Sequence, residues 1–370
     1  MQVFLLDELF MSIQVIDIFE SLIWTERYNR AGDFELYTPI NIELFQRIAK
    51  KPENVDYYIW LKDSTQQMIV EEAKITTEVE SGSYMTISGR SLETILERRI
   101  IWIQTVLSGN LQDEIERLLN ENVITPAIAN RAIPNFIFRR SNDPRIVELT
   151  IEAQYTGDNL YDTIVAICES YKLGFQVSME ESELYGYQFV FELYFGKDRS
   201  YDQSENPYVI FSPKFENVIN SNYLKTTNSF KNVALVAGED EGLSRKTIQV
   251  GEAVGLHRRE MYVDARDIRS EVDERVLTDA EYYSQLIQRG IEQLDDNNIT
   301  EAFEGEIDTT QNFEYGKDFT KGDIVQMANE YGMEAKVRII EFVRVQDTTG
   351  YQTYPTFSVV SDNNIEELRG

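Results

Sequence analysis

Short β-rich segments at both ends of the chain, separated by a stretch with helical periodicity, constrain the fold most. In the opening third, runs rich in β-branched and aromatic residues alternate with turn-forming stretches such as 29–33. The predicted strands of this third are 3–6, 13–18, 34–37, 57–61, 68–79 and 84–89. A turn at 80–83 joins the last two as a hairpin. The pattern predicts an antiparallel sheet or barrel in a first domain of residues 1–100.

The middle of the chain combines helices with strands. Leu111, Ile115, Leu118 and Leu119 recur with helical spacing. A second helix is predicted from Leu160 to Tyr171, with Asp158 as its N-cap and Gly174 as its stop. Strands at 175–177 and 188–195 follow, and then a polar connector at 196–207. These features predict a mixed α/β middle domain of residues 101–205.

The last third returns to β structure. Its predicted strands are 217–220, 233–238, 247–250, 336–345 and 356–360. One long helix, 279–295, interrupts them with Thr278 or Asp279 as its cap. The sequence therefore predicts a β domain of residues 206–370 with a helical insertion around 264–298, in an α+β multidomain protein.

The charge of the chain excludes one large functional class. Its 64 acidic and 35 basic residues give a formal net charge of −29. Affinity for nucleic acid comes mainly from Lys and Arg that neutralise phosphates, so a sequence-reading DNA-binding protein is not expected. Residues 260–308 hold 15 acidic and 4 basic residues, which is a local charge of −11. Much of that excess is expected to coat a solvated helix face.

Candidates for chemistry are few, and we predict no catalytic, cofactor-binding or metal-ligating residue. A single Cys168 and a single His257 exclude an intrachain disulfide and a zinc site of the usual type. Cys168 lies on an apolar helix stripe and is expected in the core, although a Cys/His dyad is the alternative. Residues 295–306 resemble a calcium loop but place Ile299 and Thr300 where a ligand and a glycine belong. No apolar run is long enough for a membrane span.

Two alternative functions follow from abundant residue types. The 64 acidic residues leave open a cell-wall glycoside hydrolase, whose paired carboxylates only a structure could test. The aromatic residues between Tyr185 and Phe195 leave open a carbohydrate-binding module. Strand alternation puts Tyr187, Phe189 and Phe191 on one face, which core packing explains equally well.

Several further residues carry structural predictions. The three tryptophans, Trp24, Trp60 and Trp102, are expected in the core. The glycines that end strands or form turns are expected to need positive φ angles; they are Gly32, Gly89 and Gly238. A charged cluster is expected where the first domain ends; its members are Arg90, Glu93, Arg98 and Arg99.

An ordered series of motifs spans nearly the whole chain. Its segments are 22–28 with 32–39, 88–93 with 96–99, 159–175, 231–239 with Arg245 and 258–260, and 322–325 with 338–339 and 355–357. The series resembles siphophage tail baseplate hub proteins, also called tail-tip or tail-associated hub proteins.

The resemblance implies a non-enzymatic structural protein that forms a homotrimer at the tail tip. In that family each chain carries two related β-barrel-like tube domains, which adapt the trimer to the hexameric ring of the tail tube or distal tail protein. The implied partners include receptor-binding or fibre proteins, and phage DNA passes transiently without specific binding. The implied location is the virion tail tip, after synthesis and assembly in the cytoplasm of the bacterial host. An acidic lumen that repels phosphates is the corresponding hypothesis for the charge of −29.

Overall fold

The computed structural model describes residues 1–53, 55–62, 64–78, 82–272, 275–307 and 313–360. Strands and helices together make a mixed α+β fold, as the sequence predicted. Part of the predicted turn at 80–83 and the tail after Val360 lie outside the described residues.

Seven strands, one α-helix and one 3-10 helix form the first third. They are β1 (Val3–Leu6), β2 (Ser12–Ile16), β3 (Ser21–Arg27), β4 (Asp33–Pro39), α1 (Ile42–Ala49), β5 (Tyr58–Leu61), β6 (Gln67–Glu78), β7 (Gly82–Ser91) and the 3-10 helix Leu92–Arg98. Each predicted strand has a counterpart, but β3 and α1 were not predicted. Helix α1 is short, and it begins where the Asn41 side chain accepts a hydrogen bond from the N–H of Leu44.

The middle third contains both predicted helices. Its elements are β8 (Thr105–Asn110), α2 (Leu111–Leu119), a π-helical turn (Asn120–Ile124), a 3-10 helix (Ala129–Arg131), β9 (Phe136–Arg139), α3 (Pro144–Val147), β10 (Thr150–Tyr155), α4 (Leu160–Ser170), β11 (Gly174–Ser182) and β12 (Gly186–Tyr194). The N-cap of α4 is Asn159 rather than the predicted Asp158, because its side chain accepts from the N–H groups of Tyr161 and Asp162.

The last third contains the long predicted helix among strands. Its elements are β13 (Ile210–Phe211), a 3-10 helix (Pro213–Phe215), β14 (Val218–Thr226), β15 (Val233–Ala237), a 3-10 helix (Gly242–Ser244), β16 (Thr247–Val250), a 3-10 helix (Gly255–His257), β17 (Glu260–Asp264), β18 (Glu271–Val272), β19 (Arg275–Val276), α5 (Asp279–Asp296), β20 (Thr300–Ile307), β21 (Ile324–Ala328), β22 (Glu334–Asp347) and β23 (Gly350–Val359). Thr278 and Glu281 form a capping box at the start of α5. None of the described helices has the length and apolar character to cross a membrane.

The strands of the first and last thirds lie in one sheet. Its order is β14-β20-β23-β22-β3-β4-β7-β6-β5-β1-β2. Strand β21 also pairs with β22, and β13 pairs with β21, so the sheet has 13 strands. The sequence predicted two separate barrel-like domains, whereas the described strands form one sheet that is open at both ends. The reason is the length of β22, which pairs with β21 through its first half and with β3 through its second half. The domain boundaries near residues 100 and 205 stay a prediction.

Smaller sheets complete the fold. Strand β8 pairs with β10, β9 and β11 flank β12, β16 and β17 flank β15, and β18 pairs with β19. A large core under the middle third also takes in Leu6, Phe10 and Tyr58 from the first third. The middle elements are therefore packed directly against the large sheet.

Gly32, Gly89 and Gly238 are required by the fold, but for a reason other than the predicted positive φ angle. Their φ angles are not positive, so that part of the prediction was wrong. A Cβ at Gly32 or Gly89 would lie 2.1 Å from the Thr25 carbonyl oxygen or 1.8 Å from the Ile69 carbonyl oxygen, and one at Gly238 would lie 2.1 Å from the Tyr282 hydroxyl. Glycine is required there because backbone or side-chain atoms approach too closely for any Cβ.

Candidate functional site

The two residues of the alternative catalytic dyad lie in different environments. Cys168 is fully buried, as the apolar stripe predicted, and burial raises the pKa of its thiol. His257 is exposed at the end of a 3-10 helix. A buried thiol with a raised pKa is a poor nucleophile, so its environment favours a packing role.

The calcium-loop pattern does not form a loop. Residues 295 and 296 are the last turn of α5, Asn297 is its C-cap, and β20 begins at Thr300. No group of three or more potential metal ligands of the His, Cys, Asp and Glu types occurs among the described residues.

The aromatic cluster of the carbohydrate-binding alternative is a packing feature. Phe189 and Phe191 are buried, and Tyr187 packs against the same core. The ring centres of Tyr187 and Phe10 lie 4.9 Å apart. Tyr185, in the turn before β12, is exposed. The interpretation of Tyr187, Phe189 and Phe191 as core residues is confirmed.

The tryptophans do not share one environment. Trp24 is fully buried and Trp60 is partly buried against the core. Trp102 is 57% exposed, so its expected place in the core was wrong. It begins an exposed apolar stretch with Ile103, next to β8.

The charged cluster predicted at the end of the first third divides into surface and buried groups. Arg90 forms charge-assisted hydrogen bonds with the carboxylates of both Glu71 and Glu97. Arg98 pairs with Asp56 at 2.7 Å. These are partly exposed contacts of the kind that contribute little to stability.

Glu93 differs from its neighbours because it is buried. Its carboxylate accepts hydrogen bonds from the backbone N–H of Val177 at 3.3 Å and from the Gln66 side chain at 3.4 Å. Burial raises the pKa of Glu93, and the charge of Lys321 only partly offsets this. The residue therefore links the first, middle and last thirds of the chain.

A buried charged cluster, centred on Glu26, lies at the junction of β3 and β22. The Glu26 carboxylate forms an ion pair with Arg344 and accepts hydrogen bonds from Tyr315 and Ser64, each at 2.9 Å. The ring of Tyr315 stacks on Phe342 with centres 3.8 Å apart. Sequence reasoning missed this cluster, because Glu26 and Arg344 are separated by 318 positions and no local pattern connects them.

The electrostatics of this cluster keep Glu26 ionised. Burial pushes the pKa of Glu26 upward, but the positive charges of Arg344 and Lys321 outweigh burial and hold it below its usual value. Lys321 is itself buried, and its ammonium has no hydrogen-bond partner among the described residues. The cluster therefore joins the two β-rich thirds with compensating buried charges.

The two open edges of the large sheet are the candidate interaction surfaces. Strand β2 ends one side and β14 ends the other, and each has a strand neighbour on one side only among the described residues. Val15 and Ile18 are exposed at the β2 edge, and Ile219 and Leu224 are exposed at the β14 edge. Unpaired strand edges with exposed apolar side chains favour pairing with another chain.

The two edges also differ in charge. Residues 7–20 hold Asp7, Glu8, Asp17 and Glu20 with no Lys or Arg, which gives 0 − 4 = −4. Residues 214–231 hold Lys214, Lys225 and Lys231 with Glu216, which gives 3 − 1 = +2. Lys225 pairs with Glu301 on β20, so Lys214 and Lys231 are the lysines of this stretch that complement the acidic edge.

The chain matches a family of phage proteins over almost its full length. The model of the siphovirus ReqiPepy6 Gp37-like protein family matches residues 2–357. No curated protein is significantly similar in sequence.

Solved phage tail proteins share the fold. The 43 kDa tail protein of prophage MuSo2 from Shewanella oneidensis has a TM-score of 0.56 at 12% identity, and the alignment covers 96% of this chain and 98% of that one. A tail protein from Neisseria meningitidis MC58 also has a TM-score of 0.56 at 12% identity, with 97% of both chains covered. Prophage tail protein gp18 from Listeria monocytogenes EGD-e has a TM-score of 0.52 at 14% identity, with coverage of 100% and 97%.

Proposed function

The chain belongs to the siphovirus ReqiPepy6 Gp37-like protein family of phage tail proteins, and from this premise we propose that it is a structural hub of the tail tip. Three copies form a ring that joins the tail tube or distal tail protein to the receptor-binding or fibre proteins. The ring surrounds the channel through which phage DNA leaves the virion. The role needs binding surfaces and a rigid frame and no catalysis.

The open sheet is the observation that carries the ring. Two unlike edges on one sheet, β2 and β14, allow the β2 edge of one copy to meet the β14 edge of the next. Such head-to-tail contacts form a ring when the rotation between copies closes. The apolar side chains on both edges and their opposite charges support this contact.

The buried charged cluster supports the rigid frame. It fixes β3 against β22, where the first and last thirds of the chain meet in the sheet. A force applied at one edge is then transmitted through paired strands to the other edge.

The acidic composition supports passage of DNA without binding. A net charge of −29 repels phosphates on average, and repulsion along the channel favours sliding over adhesion.

Mass photometry of the full chain, alone and with its tail-tube partner, tests the ring. We expect a trimer, and we expect Val15→Lys and Leu224→Glu each to shift the population toward monomers. Each change removes an apolar contact and places a charge of the same sign opposite the charged stretch of the partner edge. Far-UV circular dichroism should stay unchanged, because both side chains are exposed.

Leu184→Lys is the matched control. Leu184 is an exposed leucine in the turn between β11 and β12, away from both edges, so this variant should assemble like the unchanged chain. A stable monomer under all conditions, including with the tail partner, would refute the ring. Equal loss of trimer in the control variant would refute the assignment of the edges.

A further inference from the structure

A cavity of about 740 Å³ opens beside the exposed Trp102. Its wall is built from the start of β8, the π-helical turn after α2 and the hairpin of β18 and β19; the residues used below are Trp102, Asn120, Asn122, Arg131 and Arg275. Pockets of about 300–1,000 Å³ are the usual size for small-ligand sites. The cavity lies outside the sheet edges assigned to assembly.

The π-helical turn positions the aromatic side of the cavity. The Asn122 side-chain oxygen accepts hydrogen bonds from the backbone N–H of Trp102 at 3.3 Å and from Arg131 Nη2 at 3.1 Å. The Arg131 guanidinium lies over the Trp102 indole, 5.0 Å from the ring centre. Asn122 is buried, so it fixes the Trp102 backbone and the Arg131 guanidinium while the indole stays exposed. Single π-helical turns are frequent at functional sites.

Arg131 in the wall of the cavity, and Arg99 behind it, have no acidic partner in the part of the chain that the structure describes. Arg131 donates to Asn122 and to the Ile100 carbonyl, and Arg99 donates to the carbonyls of Arg98 and Arg131. No carboxylate forms an ion pair with either guanidinium among the described residues. Burial and the neighbouring charges of Arg131 and Arg98 lower the pKa of Arg99.

This absence is informative because acids are so abundant. The chain has 64 acidic residues for 35 basic ones, so a basic side chain meets acidic neighbours more often than not. Two adjacent guanidiniums without a carboxylate repel each other, and an anionic ligand would relieve that repulsion. The lining also contains Arg117 and Arg275, but these two are neutralised by ion pairs, Arg117 with Glu114 and Glu121 and Arg275 with Glu281.

We propose that this cleft binds a saccharide that carries carboxylate or phosphate groups. Trp102 takes the apolar face of a sugar ring, and Arg131, supported by Arg99, takes the anionic group. The side-chain amide of Asn120, which has no partner among the described residues, bonds the hydroxyls.

A nucleic acid fits these observations less well. Binding of single-stranded nucleic acid uses successive aromatic platforms along a basic groove. Trp102 is the one aromatic side chain in the described lining, and the net charge of −29 opposes a long polyphosphate. The proposal does not rest on the trimeric ring and is tested separately from it.

Isothermal titration calorimetry on the full chain tests the site with matched probes. Trigalacturonate supplies carboxylates and its methyl ester is the neutral match; N-acetylglucosamine 6-phosphate supplies phosphate and N-acetylglucosamine is its neutral match. We expect each acidic probe that binds to bind at least about tenfold more tightly than its neutral match. Trp102→Ala and Arg131→Gln should each weaken that binding at least about tenfold, and Asn120→Ala about threefold.

Controls separate recognition from folding. Tyr185→Ala removes another exposed aromatic side chain and should leave binding unchanged. Asn120→Ala removes a lining side chain that has no hydrogen-bond partner among the described residues, so it tests the site even if Trp102→Ala disturbs the fold.

Four outcomes overturn the proposal. They are no saturable binding of either acidic probe up to about 10 mM, equal affinity for acidic and neutral probes, binding that survives Trp102→Ala in a folded variant, and tighter binding of a single-stranded oligonucleotide at the same residues.

Discussion

Two buried glutamates in different regions of the molecule have opposite electrostatics. Glu26, at the junction of the large sheet, is 2% exposed, and Glu292, on α5, is 5% exposed. The pKa of Glu26 is held below its usual value, whereas burial raises the pKa of Glu292. Burial is therefore similar at the two sites and cannot explain the difference.

The partners of the two carboxylates explain it. Glu26 contacts the guanidinium of Arg344 and feels the charge of Lys321. Glu292 accepts neutral hydrogen bonds from Tyr155 at 2.6 Å and Gln288 at 3.1 Å, and the nearest cation, Arg289, lies 3.9 Å away. Cations therefore outweigh the effect of burial at Glu26, whereas the hydrogen bonds donated to Glu292 lower its pKa too little to offset burial.

Both residues also connect parts of the chain that are distant in sequence. Glu26 joins β3 to β22, and Glu292 joins α5 to Tyr155 in β10. The same residue type therefore makes an ion pair at one junction and hydrogen bonds with uncharged donors at the other.

The largest effect is expected at the ionic junction. Glu26→Gln should lower the free energy of unfolding at pH 7 by about 3 kcal/mol, because it leaves Arg344 and Lys321 buried without a counter-charge. Urea unfolding followed by tryptophan fluorescence measures this, since the Trp24 indole N–H donates to Glu26 at 3.2 Å. A loss below about 1 kcal/mol would show that the ion pair between Glu26 and Arg344 adds little to the stability of the fold.

The same substitution at the neutral junction should have the opposite sign. Glu292→Gln should raise the free energy of unfolding at pH 8 by about 1 kcal/mol, because a neutral amide avoids the cost of a buried charge and can still accept from Tyr155. Destabilisation by Glu292→Gln at pH 8 would contradict the raised pKa of Glu292. Urea unfolding at pH 8 gives the value.

The pH dependence sharpens the comparison. The pKa of Glu292 is raised above its usual 4.5, so its contribution to stability is full below pH 4.5 and is lost as the pH rises through the raised pKa. The pKa of Glu26 is lowered from 4.5, so its contribution is full above pH 4.5 and is lost as the pH falls. We expect the stabilisation by Glu292→Gln to vanish near pH 4, and the destabilisation by Glu26→Gln to shrink toward still lower pH. Unfolding curves between pH 3 and pH 8 distinguish the two profiles.

The smallest effect is expected at an exposed pair. Glu301 on β20 pairs at 2.7 Å with Lys225 on the edge strand β14. Glu301→Gln should leave stability unchanged within error, because solvent screens an exposed ion pair and the long lysine side chain loses entropy in forming it. A large decrease in the melting temperature would mean that the β14 edge depends on this ion pair.

Local patterns were sufficient to predict the three longest α-helices. The apolar spacing of α2, α4 and α5 identified each helix because helical contacts lie within four residues. The burial of Cys168 followed from the same spacing. Helix α1 and strand β3 were missed: α1 is brief, and the residues of β3 were noticed only as a motif.

The residues of the two candidate surfaces were less predictable. The composition of the β2 and β14 edges was visible in the sequence, but which strands would be edges was not. Trp102 was assigned to the core because apolar type correlates with burial, although the fold leaves it exposed. The sequence identified Arg99 as a charged residue. Only the positions of the other side chains showed that no carboxylate among the described residues pairs with it.

By itself, the sequence determined the types of most elements, the mixed α+β class and the limit of one cysteine and one histidine. Those properties depend on composition and on neighbours within a few positions. Only the tertiary structure decided that the first and last thirds share one open sheet, that Glu26 meets Arg344 and that Trp102 borders a cavity. Strand pairing and side-chain partnership join residues hundreds of positions apart, and the alternation along a strand specifies which face is buried but not which strand lies beside it.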